Sequence, residues 1–263
     1  MKGIPLFYGK PSDKAIFTPK DKIEYKKKIG FIKDLDIPKN IIITFSRNYL
    51  KILKRKYKTK KMRWISGLYH LLTFKVGNKR MGVSNHFGVG ASMTASVLEE
   101  LIAGGVKNFI VLGLTGSIQN DFRVGDIGLI ERAIRDEGTS YHYLAPSKYS
   151  YSNKKFNRII ENFFKLKKIK YRKGTVWSTD ATYRQTIKEL IKYRKEDVLG
   201  VEMEAAAMFA IAKYKKVNLG LLVVVTDTLN EKGRVAKFHT KKVFQSQEKI
   251  FNVAIEILKS IGN

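Results

Sequence analysis

Cysteine is absent from the 263 residues, which excludes disulfides, thiolate metal sites and a cysteine nucleophile. Proline occurs only five times, and neither a Ser/Gly-rich linker nor an internal repeat divides the chain. Residues 1–263 are therefore expected to form one domain, with residues 1–39 as an N-terminal arm packed on it. Histidine is scarce as well. None of His70, His86, His142 and His239 makes the i, i+4 pair with an intervening carboxylate that a zinc hydrolase needs, so no metal is expected. Long apolar runs are also missing. The most apolar stretch, residues 219–225, is far too short to cross a bilayer, and residues 1–19 hold no signal-peptide core. The expectation is a soluble cytoplasmic protein with no membrane association.

Acidic residues are the remaining shortage: 23 Asp and Glu face 51 Lys and Arg, a formal charge of +28. Such a balance favours anionic partners without specifying a fold. The densest stretches, residues 51–63 (KILKRKYKTKKMR) and 154–173 (KKFNRIIENFFKLKKIKYRK), interleave their charges with apolar residues at helical spacing. They read first as amphipathic helices with solvated basic faces, ahead of a nucleic-acid groove, and no zinc-finger, RNP or helix-turn-helix signature favours the groove.

What is present is a core: 44% apolar residues, 11% aromatic. Apolar runs expected as strands at 41–45, 68–76, 80–84, 108–112, 126–133, 173–177, 199–201 and 219–225 alternate with helical patterns at 91–103, 156–166, 184–194, 203–214 and 241–260. A further basic helix is expected to run to about Lys58. This alternation predicts an α/β fold around a mostly parallel or mixed sheet, in which ligands gather at the carboxyl ends of strands.

Four strand ends stand out. Asn85 to Thr94 holds Gly88 and Gly90 in a turn entering a helix, whose free N–H groups suit an anion. Gly113, Leu114, Thr115 and Gly116 follow the strand at 108–112 and would let backbone approach a ligand. Glu202, Met203 and Glu204 open a helix of small residues, where acid either complements the helix dipole or binds vicinal sugar hydroxyls. Asp227 is expected at the tip of the strand at 219–225, capping a turn or serving as a partly buried general acid.

In order and spacing these four segments resemble the nucleoside phosphorylase family, which includes uridine phosphorylase, hexameric purine nucleoside phosphorylase and the nucleosidases. The likeness is densest in GVGASMTASVLEELIAGGVKNFIVLGLTGSIQNDFRVGDI, RDEGTSYHYLAP, WSTDATYR, GVEMEAAAMFAIA and VVVTDTL, and RDEGTSYHYLAP is most similar to a uridine-phosphorylase-like branch. The resemblance implies a three-layer α/β/α sandwich around a twisted mixed sheet, in a dimer-based homo-oligomer of up to six subunits. It implies a pentosyltransferase of nucleoside salvage that cleaves the N-ribosidic bond of a purine nucleoside or uridine. No cofactor is implied; inorganic phosphate is the co-substrate, and ribose 1-phosphate and free base are the products. Glu204 matches the carboxylate that binds the ribose hydroxyls, Met203 a contact on the ribose face, and Glu202 the first acid of that motif. Asp227 matches the general acid at purine N7, while Tyr183, Arg184, Thr115 and Gly116 match the base pocket.

Departures from the family pattern concern phosphate. Val111 stands where the phosphorylases carry a phosphate-clamping arginine, Leu114 where a hydroxyl residue follows the glycine, and their N-terminal Gly-Asp-Pro loop is missing. Arg47, Gly88, Gly90 and Thr115 are the candidate phosphate ligands, and Arg63 and Arg80 are two further cations. The Gln and Arg pair that reads uracil is present in type as Arg184 and Gln185, not in spacing, and His142 is a candidate to reach a neighbour's pocket. Nucleosidases also lack the strand arginine and use water. An N-ribosyl hydrolase, or a non-catalytic ligand- or nucleic-acid-binding protein on the same scaffold, therefore stands as the alternative.

Overall fold

The computed structural model describes residues 9–33, 35–62, 70–85 and 88–261. Arg63 and His86, both named above, lie outside them. In chain order the elements are α1 (Pro19–Lys28), β1 (Asn40–Thr44), α2 (Arg47–Lys56), β2 (Lys60–Met62), β3 (His70–Val76), β4 (Lys79–Asn85), α3 (Ala91–Ala103), β5 (Asn108–Ser117) and β6 (Ile127–Asp136). They continue with β7 (Tyr149–Tyr151), α4 (Lys154–Leu166), β8 (Arg172–Thr179), α5 (Ile187–Lys195), β9 (Val198–Glu202), α6 (Ala205–Lys215), β10 (Asn218–Asn230), β11 (Gly233–Ala236) and α7 (Lys241–Ser260).

The strands form one mixed sheet between helical layers, the predicted three-layer arrangement. β1 runs parallel to β4 and β5, and β5 parallel to β10, while β6 is antiparallel to β10 and parallel to β8. β8 pairs with β9, and β9 returns to β5 through Gly116 and Ser117, so β5, β10, β6, β8 and β9 close into a ring. On one face Leu98, Leu101, Phe209 and Ile211 of α3 and α6 pack on Phe109, Val111, Leu219 and Leu221. On the other, Ile52, Phe164 and Phe251 of α2, α4 and α7 cover Ile42, Ile110 and Leu222. From Ala205 to Ala212 every residue of α6 is buried, as expected of a helix that is apolar all round. Within the N-terminal arm, Ile23 packs against the first of these cores and Lys22 pairs with Glu100 of α3 at 2.5 Å.

A chain of amides fixes the register at the opposite end of the strands from their carboxyl termini. Asn40 donates to the Leu258 carbonyl at 3.2 Å, Asn108 to Asn40 at 2.8 Å, Asn218 to Asn108 at 2.8 Å and Asn153 to Asn218 at 3.0 Å. These links join β1, β5 and β10 to α7 and to the N-cap of α4, and they satisfy polar groups that burial would otherwise penalise.

Two strands run further than the apolar pattern predicts. β5 continues through Gly113–Ser117, which the sequence suggested as a turn, and β10 continues through Asp227 to Asn230. The reason is mutual pairing, since Val223, Val224 and Val225 stay in register with Gly113, Leu114 and Thr115. Asp227 therefore lies inside a strand, not at its tip. The helix expected from 184 begins at Ile187, where Thr186 and Glu189 form a capping box.

Candidate active site

At the carboxyl ends of β1, β5, β9 and β10 lies a cavity of about 220 Å³. Leu114, Thr115, Gly116, Met203, Glu204 and Asp227 contribute to its wall, as does Glu202. A second groove of about 440 Å³ adjoins it and shares Thr182, Gln185, Leu229 and Arg234.

Glu202 is the last residue of β9 and is 8% exposed. One carboxylate oxygen accepts the N–H of Glu204 at 2.8 Å and that of Ala205 at 2.7 Å, and the other accepts the Ser178 hydroxyl. Ser178 in turn accepts the Ala206 N–H at 2.9 Å. Three N–H groups left free by the start of α6 are thereby satisfied. Burial, and then the neighbouring Glu204 charge, push the Glu202 carboxyl above the ordinary carboxylate range.

Glu204 is equally buried, and its Oε1 accepts the Gly90 N–H at 2.6 Å. Gly90 has φ 99°, a left-handed conformation open to glycine, and its amide ties the β9–α6 corner to the entry of α3. Burial raises the Glu204 carboxyl as well, against the pull of that amide.

Asp227 is aimed by a β-bulge. Val225 pairs with Thr115 and Asp227 with Gly116, leaving Thr226 as the extra residue. The Asp227 side chain is held on both oxygens: Oδ1 accepts the Thr226 hydroxyl at 2.8 Å and Oδ2 accepts Nε of Arg234 at 2.6 Å. Asp227 is 2% exposed, whereas the Arg234 side chain, from β11, is 47% exposed. A Cβ at position 116 would sit 2.5 Å from Leu229 Cδ1 and 2.7 Å from Asp227 Oδ2, so a larger residue there would displace one of these side chains.

The remaining candidates fall into two groups. Thr115 lines the cavity, although its hydroxyl donates to the Val201 carbonyl at 3.0 Å. Met203 lines it too and accepts the Thr182 hydroxyl on its sulfur at 3.1 Å. Tyr183 and Arg184 do not line it: Tyr183 is 97% exposed and borders the adjoining groove, Arg184 is also exposed, and Thr182 and Gln185 form the wall instead. Residues 182–184 make a 3-10 turn, in which positions i and i+3 share a side, so 182 and 185 face inward together.

Of the phosphate candidates, Arg47 is exposed at the first turn of α2, and neither it nor Gly88 lines the cavity; the Gly90 amide is occupied by Glu204. Arg80 pairs with Asp36. Val111 is buried between Ile43 and Leu221. Arg234, which the sequence reading missed, is the one cation on the cavity wall among the described residues. Its signal was available: Asn230-Glu231-Lys232-Gly233 is a plausible hairpin turn following Asp227. His142 borders a separate groove beneath the N-terminal arm, where burial and then Lys10 lower its pKa. Among the described residues no cluster of His, Asp and Glu suits a metal, and no helix is long and apolar enough to cross a membrane.

Residues 39–259 match the family model described as the phosphorylase superfamily, and the chain belongs to that superfamily. It is 30% identical over 154 residues to guanosine phosphorylase of Halorubrum lacusprofundi, an alignment covering 56% of this chain and 62% of that protein. It is 26% identical over 190 residues to uridine phosphorylase of Haemophilus influenzae, covering 66% and 73%. Its fold is similar to the crystal structure of uridine phosphorylase from Vibrio fischeri, with a TM-score of 0.75 at 20% identity over 87% of this chain and 95% of that one.

Proposed function

We propose that the chain cleaves the N-ribosidic bond of a nucleoside, with phosphate as nucleophile and ribose 1-phosphate and free base as products. The observation that carries this reading is the convergence of Glu204, at the N-cap of α6, and Asp227, within β10, on one small cavity. Glu204 is the carboxylate that takes the vicinal hydroxyls of a ribose. Asp227 is the group that relays a proton to the departing base: its Oδ1 takes the proton from solvent and passes it on, best suited to N7 of a purine, while Arg234 holds the other oxygen in place. The sugar passes through a cation-like state, which the carboxylates and the incoming anion stabilise. Gln185 and Thr182, together with the adjoining groove, give the base its room.

A second reading, hydrolysis by water, is favoured by one specific feature. Leu114 and Val111 are apolar, and Arg234, already paired with Asp227, is the wall's cation among the described residues. A homo-oligomer goes with either reading, supported by the exposure of Ile16, Phe17, Val89 and Met93. The test is incubation with inosine, adenosine and uridine, with and without phosphate, followed by chromatography of base and sugar. Phosphate-dependent ribose 1-phosphate is expected. Free ribose formed without phosphate would replace phosphorolysis by hydrolysis, and no base release would overturn both.

A further inference from the structure

Between Asp36 and Glu99 the chain carries no acidic residue for 62 positions, yet 13 Lys and Arg. The catalytic reading uses none of this charge. The stretch builds one edge of the sheet, β1 to β4 with α2 alongside, and is densest in residues 47–62, where eight cations occupy 16 positions and all eight are exposed. On α2, Tyr49, Ile52 and Leu53 face the core, which leaves Lys51, Lys54 and Arg55, and Lys58 just beyond the helix, on the outer side. Lys60 and Lys61 continue the array along the edge strand β2.

Opposing charge is sparse. Glu248 of α7 reaches Arg55 at 2.5 Å and Lys56 at 3.1 Å, while among the described residues no ion pair engages Lys51, Lys54, Lys58, Lys60 or Lys61. Lysines on an edge strand discourage strand pairing, which accounts for Lys60 and Lys61 but not for the row on α2. Like charges this close lie within a Debye length of about 8 Å, so they repel one another and favour a polyanion.

We infer that this α2–β2 edge docks the phosphate backbone of a nucleic-acid duplex without reading its bases. Two observations select that occupant. A membrane surface calls for apolar anchors beside the cations, and no large apolar side chain is exposed among the described residues between 37 and 85. A single strand calls for exposed aromatic rings to stack its bases, and among the described residues 47–62 Tyr49 is buried and the ring of Tyr57 lies against Phe74 with centroids 5.0 Å apart. A duplex backbone requires only spaced cations. The inference stands apart from the catalytic reading.

The experiment is fluorescence anisotropy of the full chain with a labelled DNA duplex of about 20 base pairs across a salt series. Binding at 150 mM salt is expected, with log affinity falling against log salt at a slope of about −4 or steeper. The variant Lys51→Glu/Lys54→Glu/Lys58→Glu/Lys61→Glu should weaken binding at least about 100-fold and reduce the slope by roughly 3. A control with the same charge change elsewhere, Lys188→Glu/Lys195→Glu/Lys213→Glu/Lys216→Glu, should weaken it less than about fivefold. If the first variant fails to fold, the Lys→Gln version of the same four positions keeps the comparison. Equal losses in the two variants, no duplex binding at 150 mM salt, or binding to phosphatidylserine vesicles in place of the duplex would each overturn the inference.

Discussion

The cavity has two unlike walls. In the β9–α6 corner, Glu202, Ser178 and Glu204 are buried, and they engage the backbone N–H groups of residues 90, 204, 205 and 206. The segment around Thr182–Gln185, which meets the corner through Met203, and the β10–β11 hairpin are largely exposed, and Arg234 is anchored chiefly through Asp227. On the proposed reading, the contrast gives each wall different work. A corner whose polar atoms are already satisfied cannot rearrange without exposing buried donors, so it suits the part of the substrate common to all nucleosides. An exposed rim is cheap to alter and suits the part that varies.

The largest effect should come from the residue that joins the two walls. Asp227→Asn keeps the shape but removes the proton donor, and turnover of purine nucleosides should fall by roughly 10² or more. Steady-state kinetics on inosine checks this, and an unaltered rate would remove Asp227 from the chemistry. Next, Glu204→Gln should cost kcat/KM about tenfold more on ribonucleosides than on 2′-deoxynucleosides, because a charge-assisted bond to the 2′-hydroxyl is lost only in the former. Equal losses would mean that the corner does not bind that hydroxyl. Third, Arg234→Ala should lower kcat/KM by about tenfold, the worth of one charged hydrogen bond, with Arg234→Lys recovering only part because the lysine head lacks the Nε geometry. Full activity in the alanine variant would make the hairpin a bystander.

The same division explains what the sequence disclosed. Helices α3 and α7 were legible to the residue because their apolar faces repeat at helical spacing over many turns. Edge strands β2 and β11 were not, since Lys60, Lys61 and the whole of Gly233–Ala236 are polar or exposed and carry no burial pattern. Glu202, Met203, Glu204, Thr115, Gly116 and Asp227 could be found because each follows or interrupts an apolar strand. That β5 and β10 continue past their apolar runs depends on pairing between segments more than 100 residues apart, to which a local pattern is blind. The inward face of Thr182 and Gln185 likewise depends on one turn being 3-10, which composition does not announce.

Within the corner itself, Glu202→Gln gives a smaller and pH-dependent effect. Glutamine keeps one oxygen for the N–H groups of Glu204 and Ala205 and presents its amide to Ser178, so the fold survives. A carboxyl whose folded pKa is raised gives stability that is complete below its unfolded value and is lost as pH climbs toward the folded value. The variant should therefore melt with wild type near pH 4, hold a higher melting temperature than wild type near pH 8, and show a flatter profile between. Parallel profiles would mean that Glu202 does not titrate across that range.

The smallest effect should lie at the outermost point of the rim. The sequence resemblance matches Tyr183 to the family's base pocket, yet here it is 97% exposed and borders only the adjoining groove, while its neighbours Thr182 and Gln185 form the cavity wall. In the isolated subunit Tyr183→Ala removes almost no buried area, so stability should change by less than about 0.5 kcal/mol and kcat/KM by less than about twofold. Gln185→Ala is the companion variant, expected to shift preference among inosine, adenosine and uridine because its amide faces the cavity. A large loss in Tyr183→Ala with none in Gln185→Ala would reverse the assignment of inward and outward residues and give the rim a closed form in which the 3-10 turn swings Tyr183 over the base.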